Sequence, residues 1–211
     1  MRIYGSGLLP HWRQHGCTYF VTFRLADSVP RKVVEQWKYE RDKWLQFRGI
    51  VLSGENWRSV VRQLGRTDYR AFERHFAGRL FAYLDDCRGE CLLRKPDLGK
   101  LVVDALRFFD GRRLDCGDFV VMPNHVHWIV TPRAEFELED ILHSVKSFTA
   151  NEINRKIGRT GQLWMEESYD RIIRNGEELL QTQRYIRENP RKAGLKLPPS
   201  ASYAAEYMLK E

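Results

Sequence analysis

The sequence lacks the features that would place it in a membrane or hold it together by disulfides. None of its apolar runs approaches the length needed to cross a bilayer, and its first twelve residues lack the apolar centre of a signal peptide. Only four cysteines are present, and their spacing does not supply the four ligands of a structural zinc site. These absences predict a soluble, cytoplasmic protein with free thiols.

Charge of one sign does not dominate the sequence either. Its 35 Lys and Arg residues stand against 28 Asp and Glu residues, which leaves a net charge of +7. This excess favours a polyanionic partner through local basic patches rather than through a uniformly basic surface. Nucleic acid is the expected partner, ahead of an anionic membrane. With 211 residues and 43% hydrophobic content, the chain can bury a full core. This excludes a protein that consists only of a solvent-exposed tail.

Hydrophobic periodicity predicts a mixture of strands and helices. Strands are predicted at residues 17–25, 114–122, 126–130 and 163–173. Helices are predicted within residues 30–89 with an interruption at 49–56, from Pro96 to about 109, at 138–157 ended by Gly158, and at 177–188, with a short helix or an irregular tail after Pro199. This order has no regular parallel repeat, so it indicates an α+β fold, a mainly antiparallel sheet with helices on its faces.

The sequence His125-Val126-His127 opens the apolar run of one predicted strand. Because residues two apart on a strand point to the same face, both imidazoles project side by side, about 7 Å apart at Cα. Imidazole is a usual ligand for transition metals, and Mg²⁺ also accepts nitrogen beside phosphate oxygens. The pattern predicts a metal site, with two histidines lining an ordinary sheet face as the alternative.

The last predicted helix offers a nucleophile. Asn175 and Glu178 are spaced as a capping pair at its start, and Asn189-Pro190 is expected to end it, because the residue before a proline disfavours helical geometry. Its apolar stripe is expected to contain Leu179, Leu180, Gln183 and Ile186. Tyr185 and Asn189 leave that stripe and, four residues apart, would present a phenol and an amide oxygen together. Packing in the core or at its rim is the alternative for this tyrosine.

Several blocks of sequence, in the same order, resemble a known family. They are Pro123-Asn124-His125-Val126-His127, Leu163-Trp164, residues 167–174 and residues 185–195, preceded by Leu9-Pro10-His11-Trp12 and residues 18–25. Together they resemble the REP-associated tyrosine transposases, which belong with the single-tyrosine insertion-sequence transposases of the HUH endonuclease superfamily. The resemblance spans the chain except for the stretch from about 30 to 90, which is longer than compact members carry at this place.

The resemblance implies a single HUH transposase domain over residues 1–211, with a ferredoxin-like (RRM-like) antiparallel sheet and a helical insertion at about 30–90. It also implies an enzyme that binds single-stranded DNA and cuts it by tyrosine attack. His125 and His127 match the metal-binding histidines, Tyr185 matches the nucleophile, and Asn189 matches the third metal ligand. Tyr169 is the competing tyrosine.

The reaction implied by the resemblance uses a divalent ion, Mg²⁺ or Mn²⁺, with phosphate oxygens and water completing its shell. Tyr185 would attack the scissile phosphate in line, which leaves a 5′-phosphotyrosine and a free 3′-hydroxyl. The sequence does not name the base that accepts the phenol proton.

Basic side chains could follow the phosphate backbone of single-stranded or hairpin DNA. Nucleic-acid contacts are predicted for Lys146, Arg155, Arg171, Arg174 and Arg187, with a solvated surface as the alternative for each. Trp128 and Trp164 could stack on bases or belong to the core. The sequence leaves open whether the protein is a monomer or a homodimer.

Two other functions compete with the transposase. One is a domesticated module that binds DNA or RNA hairpins without cutting them, although the complete set of His125, His127, Tyr185 and Asn189 argues against it. The other is a hydrolytic metal nuclease, which would release cut DNA without a protein adduct.

Overall fold

The computed structural model describes residues 14, 16–50, 61, 64–133 and 135–205. The described strands are β1 (Tyr19–Leu25), β2 (Leu114–Val121), β3 (His125–Pro132), β4 (Trp164–Ile172) and β5 (Ser202–Tyr203). The described α-helices are α1 (Arg31–Gln46), α2 (Arg66–Asp85), α3 (Pro96–Arg107), α4 (Leu138–Ile157) and α5 (Gly176–Lys192), with 3₁₀ turns at Leu92–Arg94 and Pro199–Ala201. The block Leu9-Pro10-His11-Trp12 and most of the expected interruption at 49–56 lie outside the described residues.

The five strands form one antiparallel sheet in the order β4-β1-β3-β2-β5. β1 pairs with both β3 and β4, and β2 pairs with β3. The first four strands and their helical connections follow the β-α-β-β-α-β order of a ferredoxin-like fold. The expected fold class is therefore confirmed, and β3, which carries both histidines, lies in the middle of the sheet.

Helices cover both faces of the sheet, and the strands alternate between two cores. One face, the α3/α4 face, packs Val126, Trp128 and Val130 of β3 against the helices α3 and α4. The other, the α2/α5 face, lies under α2 and α5 and carries the remaining residues of β3, including His125 and His127. Period-two alternation along β3 thus separates apolar side chains from imidazoles.

Helices α1 and α2 follow β1, where the insertion is expected. They pack on each other through aromatic side chains, since the ring of Trp44 lies 5.6 Å from Phe72 and that of Trp37 lies 5.4 Å from Tyr83. Helix α2 also reaches the sheet, because the Phe81 ring lies 6.0 Å from Phe20 of β1. Helices α1 and α2 therefore belong to the core of the α2/α5 face. Among the described residues, no helix is both long and apolar enough to span a bilayer.

The expected helix boundaries are mostly confirmed. Helix α4 covers residues 138–157 and ends at Gly158, whose φ of +65° is the left-handed conformation that glycine adopts easily. The side chain of Asn175 caps α5 by accepting a hydrogen bond of 2.9 Å from the backbone N–H of Glu178. Local capping patterns therefore located these two helix ends correctly.

The expectation for the end of α5 is wrong, and the one for its buried stripe is wrong in part, since Gln183 and Ile186 are buried as expected. The helix continues through Pro190 to Lys192, because near a helix end the proline removes only one backbone hydrogen bond and its φ suits a helix. Leu180 is 58% exposed, whereas Thr182 and Asn189 are buried. Since the sheet contacts the side of α5 that carries Asn189, the buried face includes polar residues. The C-terminal tail adds β5, an edge strand on β2.

Candidate metal and nucleophile site

Side chains from β3 and α5 meet on the α2/α5 face. The Nε2 atoms of His125 and His127 lie 3.1 Å apart, and the Tyr185 hydroxyl lies 3.3 Å from His127 Nε2. The Asn189 Nδ2 atom lies 3.3 Å from the same hydroxyl. The structure therefore brings together all four residues that the sequence predicts for the metal and the nucleophile.

Neighbouring side chains orient the two imidazoles. The Nδ2 group of Asn124 donates to the backbone carbonyl of Arg88 over 3.0 Å, so its Oδ1 atom faces His125 Nδ1 at 2.7 Å. Because that amide oxygen only accepts, His125 carries its proton on Nδ1 and turns the Nε2 lone pair toward His127. Thr22 Oγ1 lies 2.7 Å from His127 Nδ1 and holds the second ring in place, and since a hydroxyl donates or accepts, this contact sets the orientation of the ring but not its tautomer. Such outer partners hold metal-binding histidines in the orientation that ligation needs.

Burial keeps both imidazoles neutral. His125 and His127 are 0% exposed. Burial lowers the pKa of His125 to about 3, and burial together with the neighbouring His125 holds the pKa of His127 well below its usual value. Neutral imidazole is the form that binds a metal, so both rings are ready to act as ligands at neutral pH.

The Tyr185 phenol keeps its proton in this arrangement. Burial raises its pKa above the usual value, and the nearby negative charge of Asp85 adds to the increase, while the hydrogen bond from Asn189 opposes it. An attack by this phenol therefore needs the proton to leave as the new bond forms.

Asp85, at the end of α2, joins the cluster and was not found from the sequence. Its Oδ1 atom lies 4.0 Å from His125 Nε2 and accepts a hydrogen bond of 3.0 Å from Asn189 Nδ2. One ligand atom each from Asp85, His125 and His127 lie within 4.8 Å of one another. The sequence offered no signal for it, because Asp85 belongs to a helix without a motif and is followed by a second aspartate, Asp86.

The arrangement fits a divalent cation. Ligands about 2.1 Å from a six-coordinate ion are about 3 Å apart when adjacent and about 4.2 Å apart when opposite. The distance of 3.1 Å between the two imidazoles matches adjacent ligands, and an Asp85 oxygen lies within 4.8 Å of a ligand atom of each histidine. Within the described part of the chain, the buried Oδ1 atom of Asn189 has no hydrogen-bond partner. Because Asn189 meets Asp85 and Tyr185 through Nδ2, its oxygen reaches a cation in the cluster when the amide turns.

The competing tyrosine has a different partner. The hydroxyl of Tyr169, on β4, donates a hydrogen bond of 2.9 Å to Glu73 of α2. Burial raises the pKa of this phenol well above its usual value, and the charge of Glu73 adds to the increase. Its ring packs on Phe81 at a centroid distance of 5.1 Å. This environment gives Tyr169 a role in joining α2 to the sheet.

Three of the five residues predicted to contact nucleic acid lie on the side of the sheet that carries the histidines. Arg171 of β4 donates to Thr182 Oγ1 of α5 over 3.0 Å. Arg187 of α5 pairs with Asp118 at 2.8 Å and leaves about half of its side chain exposed. Arg174, between β4 and α5, is exposed and lies 3.9 Å from Glu178.

The other two predicted contacts lie on α4, beyond the opposite face of the sheet. Lys146 donates to the backbone carbonyls of Met165 and Glu166 over 2.8 and 2.7 Å, and burial lowers its pKa to about 8. Arg155 is exposed and pairs with Glu152 at 2.5 Å. The structure therefore does not bring all five basic residues to one surface.

The two tryptophans belong to the core rather than to a surface that could stack on bases. Trp128 and Trp164 are buried on the α3/α4 face. The indole N–H of Trp128 lies 3.4 Å from Cys116 Sγ, and that of Trp164 donates to Thr149 Oγ1 over 2.9 Å. Their aromatic faces are therefore used in packing, which is the alternative that the sequence left open.

Comparison with known proteins gives a family match for part of the chain. Residues 108–189 match the family model described as IS200-like transposase. This segment extends from before β2 into α5, so it contains His125, His127, Tyr185 and Asn189. No curated protein matches the sequence.

Two solved structures are similar to this chain at low sequence identity. A REP-associated tyrosine transposase bound to a REP hairpin is 14% identical, with 89% of this chain and 76% of that one covered and a TM-score of 0.48. A protein described as a transposase from Deinococcus radiodurans R1 is 12% identical, with 85% and 95% covered and a TM-score of 0.36.

Proposed function

Because residues 108–189 carry the sequence of IS200-like transposases, we propose that this chain is a metal-dependent transposase that cuts and joins single-stranded DNA through Tyr185. The observation that carries the proposal is the distance of 3.3 Å between the Tyr185 hydroxyl and His127 Nε2. This distance places a phenol beside two neutral imidazoles that are oriented as ligands. The proposal treats residues 1–211 as one catalytic domain with a helical insertion at about 30–90.

His125, His127 and Asn189 would hold the divalent ion, Mg²⁺ or Mn²⁺, which when bound polarises the scissile phosphate and stabilises its developing charge. Asn189 suits this role because its side-chain amide is buried and lies in the cluster. Its Nδ2 atom contacts Asp85 and Tyr185. A half turn of the amide would exchange the two atoms and bring the oxygen to the same place.

Tyr185 would attack the phosphorus of the scissile phosphodiester. A bond forms between the phenol oxygen and phosphorus, the bond to the 3′-oxygen breaks, and the products are a 5′-phosphotyrosine and a 3′-hydroxyl. The phenol proton leaves during the attack, since burial keeps the free phenol protonated. Because the covalent link preserves the phosphodiester energy, attack by another 3′-hydroxyl rejoins DNA without an energy-rich cofactor.

DNA binding would use the basic residues around α5. Arg171, Arg174 and Arg187 lie on the side of the sheet that carries Tyr185, where they would contact phosphates near the cut. Lys146 and Arg155 lie on α4, so they would contact a separate part of the same DNA. The substrate that the sequence resemblance suggests is single-stranded DNA with hairpin-forming repeats.

One observation favours the alternative, a non-catalytic module that binds DNA or RNA hairpins. Both imidazoles are completely buried, so a phosphate reaches them only after α2 or α5 moves. A binding module needs no such movement. The two functions therefore differ in whether DNA ever contacts Tyr185.

Labelled single-stranded DNA separates the candidate functions. The protein is incubated with Mg²⁺ and a labelled single-stranded oligonucleotide that contains a hairpin, and the products are run on a denaturing gel. A covalent complex of protein and DNA supports the transposase. Cut fragments without a complex indicate a hydrolytic nuclease, and intact DNA that binds in a native gel indicates a binding module.

Two tyrosine variants test the nucleophile. Tyr185→Phe should abolish the covalent complex while DNA binding survives, because only the attacking oxygen is lost. Tyr169→Phe is the matched control and should retain cleavage, since that hydroxyl bonds Glu73. The opposite pattern would overturn the assignment of Tyr185.

A further inference from the structure

We infer that Asp85, the last residue of α2, is a ligand of the same cation, so that the helices inserted after β1 form part of the catalytic centre. This inference rests on the proposed function, because it adds a residue to the proposed metal site. It gives the insertion a chemical role, whereas the resemblance alone left its role undefined.

The position of Asp85 supports the inference. Its Oδ1 atom lies 4.0 Å from His125 Nε2, and one ligand atom each of Asp85, His125 and His127 lies within 4.8 Å of the other two. The same oxygen accepts a hydrogen bond from Asn189 Nδ2. If the Asn189 amide turned to present its oxygen, the oxygens of Asn189 and Asp85 would face each other at about 3.0 Å, an arrangement that is favourable when both bind one cation.

The charge of the cluster points to the same role. Two neutral imidazoles and an amide provide three ligands without any negative charge. Mg²⁺ and Mn²⁺ are hard cations that proteins bind mainly through carboxylate oxygens. Among the four groups that meet here, Asp85 alone is acidic, so it would supply the negative charge that the other three lack.

The segment after Asp85 is fixed to the sheet by contacts that do not involve a metal. The Arg88 carbonyl accepts the hydrogen bond from Asn124 that orients His125. Two residues later, the backbone N–H of Glu90 donates to Asp27 Oδ2 over 2.6 Å. The end of α2 is thereby tied both to the β3 hairpin and to the turn after β1, which holds the Asp85 carboxylate beside the imidazoles.

A second interpretation of the same geometry is that Asp85 occupies the place of the scissile phosphate. In that case the carboxylate would compete with DNA, and removing its charge would open the site. The two interpretations predict opposite effects of the same substitution on metal binding and on cleavage.

The experiment measures binding of MnCl₂ to the full chain by isothermal titration calorimetry, without DNA. Asp85→Asn keeps the shape of the side chain and its ability to accept from Asn189, and it should weaken Mn²⁺ binding at least about tenfold. Asp86→Asn is the matched control, because Asp86 is exposed and pairs with Arg88 at 3.0 Å. It should bind Mn²⁺ like the unaltered chain. Circular dichroism checks that each variant is folded.

A change of metal preference gives a second readout. In Asp85→Cys, a thiolate replaces the carboxylate, so the affinity for Cd²⁺ relative to Mn²⁺ should rise at least about tenfold. Asp86→Cys provides the control, since it adds a thiol one residue away from the cluster. A residue with only a structural role would not change which ion is preferred.

The outcomes separate this inference from the proposed function. If His125→Ala loses Mn²⁺ binding and Asp85→Asn does not, Asp85 is not a ligand and the proposed metal site stands. If Asp85→Asn binds Mn²⁺ more tightly or cleaves DNA faster, the carboxylate blocks the site, and the inference is overturned. If the unaltered chain shows no Mn²⁺ binding that depends on His125, the proposed metal site fails and the inference fails with it.

Discussion

The two faces of the sheet carry opposite chemistry on the same strand. On the α3/α4 face, β3 contributes Val126, Trp128 and Val130, which are buried among other apolar side chains. On the α2/α5 face, it contributes His125 and His127, which are buried equally well but are polar. Burial therefore does not distinguish a stabilising core from a functional site; the partners of the buried atoms do.

The polar face is stable only because its buried groups are mostly satisfied. Each imidazole uses Nδ1 for a hydrogen bond to Asn124 or Thr22 and directs Nε2 into the cluster. The Asn189 Oδ1 atom, which lacks a partner among the described residues, costs about 1–3 kcal/mol. The apolar face provides the hydrophobic free energy that offsets such a cost. Substitutions on the two faces should thus separate stability from chemistry.

The largest difference between the effect on cleavage and the effect on stability is expected for His125→Ala. Removing this imidazole should reduce metal-dependent cleavage by at least about 10³-fold, equivalent to about 4 kcal/mol in the barrier, because a ligand of the cation is lost. The chain should stay folded, as judged by circular dichroism and thermal melting. Cleavage at the original rate would reject the metal site, and unfolding would show that this face also maintains the fold.

The converse change on the opposite face is Trp128→Ala. It should lower the free energy of unfolding by about 3–5 kcal/mol, because a large buried side chain leaves a cavity. Urea denaturation measures this effect, and cleavage by the folded protein should change little. Phe47→Ala is the control, since Phe47 is 91% exposed and its removal should cost less than about 0.5 kcal/mol. A loss of cleavage in Trp128→Ala that is still folded would contradict the assignment of stability to the α3/α4 face and of chemistry to the α2/α5 face.

Thr22→Val tests whether the orientation of an imidazole matters apart from its presence. The substitution keeps the shape of the side chain and removes the oxygen beside His127 Nδ1, so Mn²⁺ affinity should fall about 10- to 100-fold. Titration calorimetry measures it. Thr18→Val is the control, because its hydroxyl pairs with Thr131. Equal Mn²⁺ affinities in both variants would mean that Thr22 does not position the ring.

The smallest effect concerns the side of the molecule that the proposed function assigns to DNA. Arg174→Gln, on the side of the histidines, should weaken single-stranded DNA binding a few-fold. The slope of the logarithm of the binding constant against the logarithm of salt concentration should become shallower by about the amount expected for one phosphate contact. Arg155→Gln, on α4, changes a similarly exposed arginine and should have less effect. Fluorescence anisotropy at several salt concentrations measures both. An equal or larger loss for Arg155→Gln would show that the contacts on α4 contribute as much to DNA binding as those beside Tyr185.

Much of the two-faced sheet could be predicted from the sequence, because strand alternation has a period of two and is visible locally. The runs around residues 17–25 and 163–173 became β1 and β4, and His125-Val126-His127 placed both imidazoles on one face. Spacing along a helix likewise put Tyr185 beside Asn189. That these two pairs face each other came from the family resemblance, since no local pattern specifies which helix covers which face.

The remaining features depend on tertiary contacts. Asp85 and Asp86 are equivalent in sequence, and only the packing of α2 on the sheet selects the first for the cluster. Helix α5 continues past Asn189 because the lost hydrogen bond at Pro190 is tolerated near a helix end. β5 has two residues, which is too short for any periodicity to reveal.

The turn at Pro123-Asn124 limits how this protein can vary in length. Hairpin tips usually tolerate added residues, but Asn124 is completely buried between the Arg88 carbonyl and His125. A residue added here that shifted β3 by one position would turn every side chain of the strand to the other face of the sheet. The imidazoles would then lie on the α3/α4 face, and apolar side chains would take their place on the α2/α5 face. Natural lineages should therefore vary in length at other loops and keep this connection, Met122 to Asn124, at three residues.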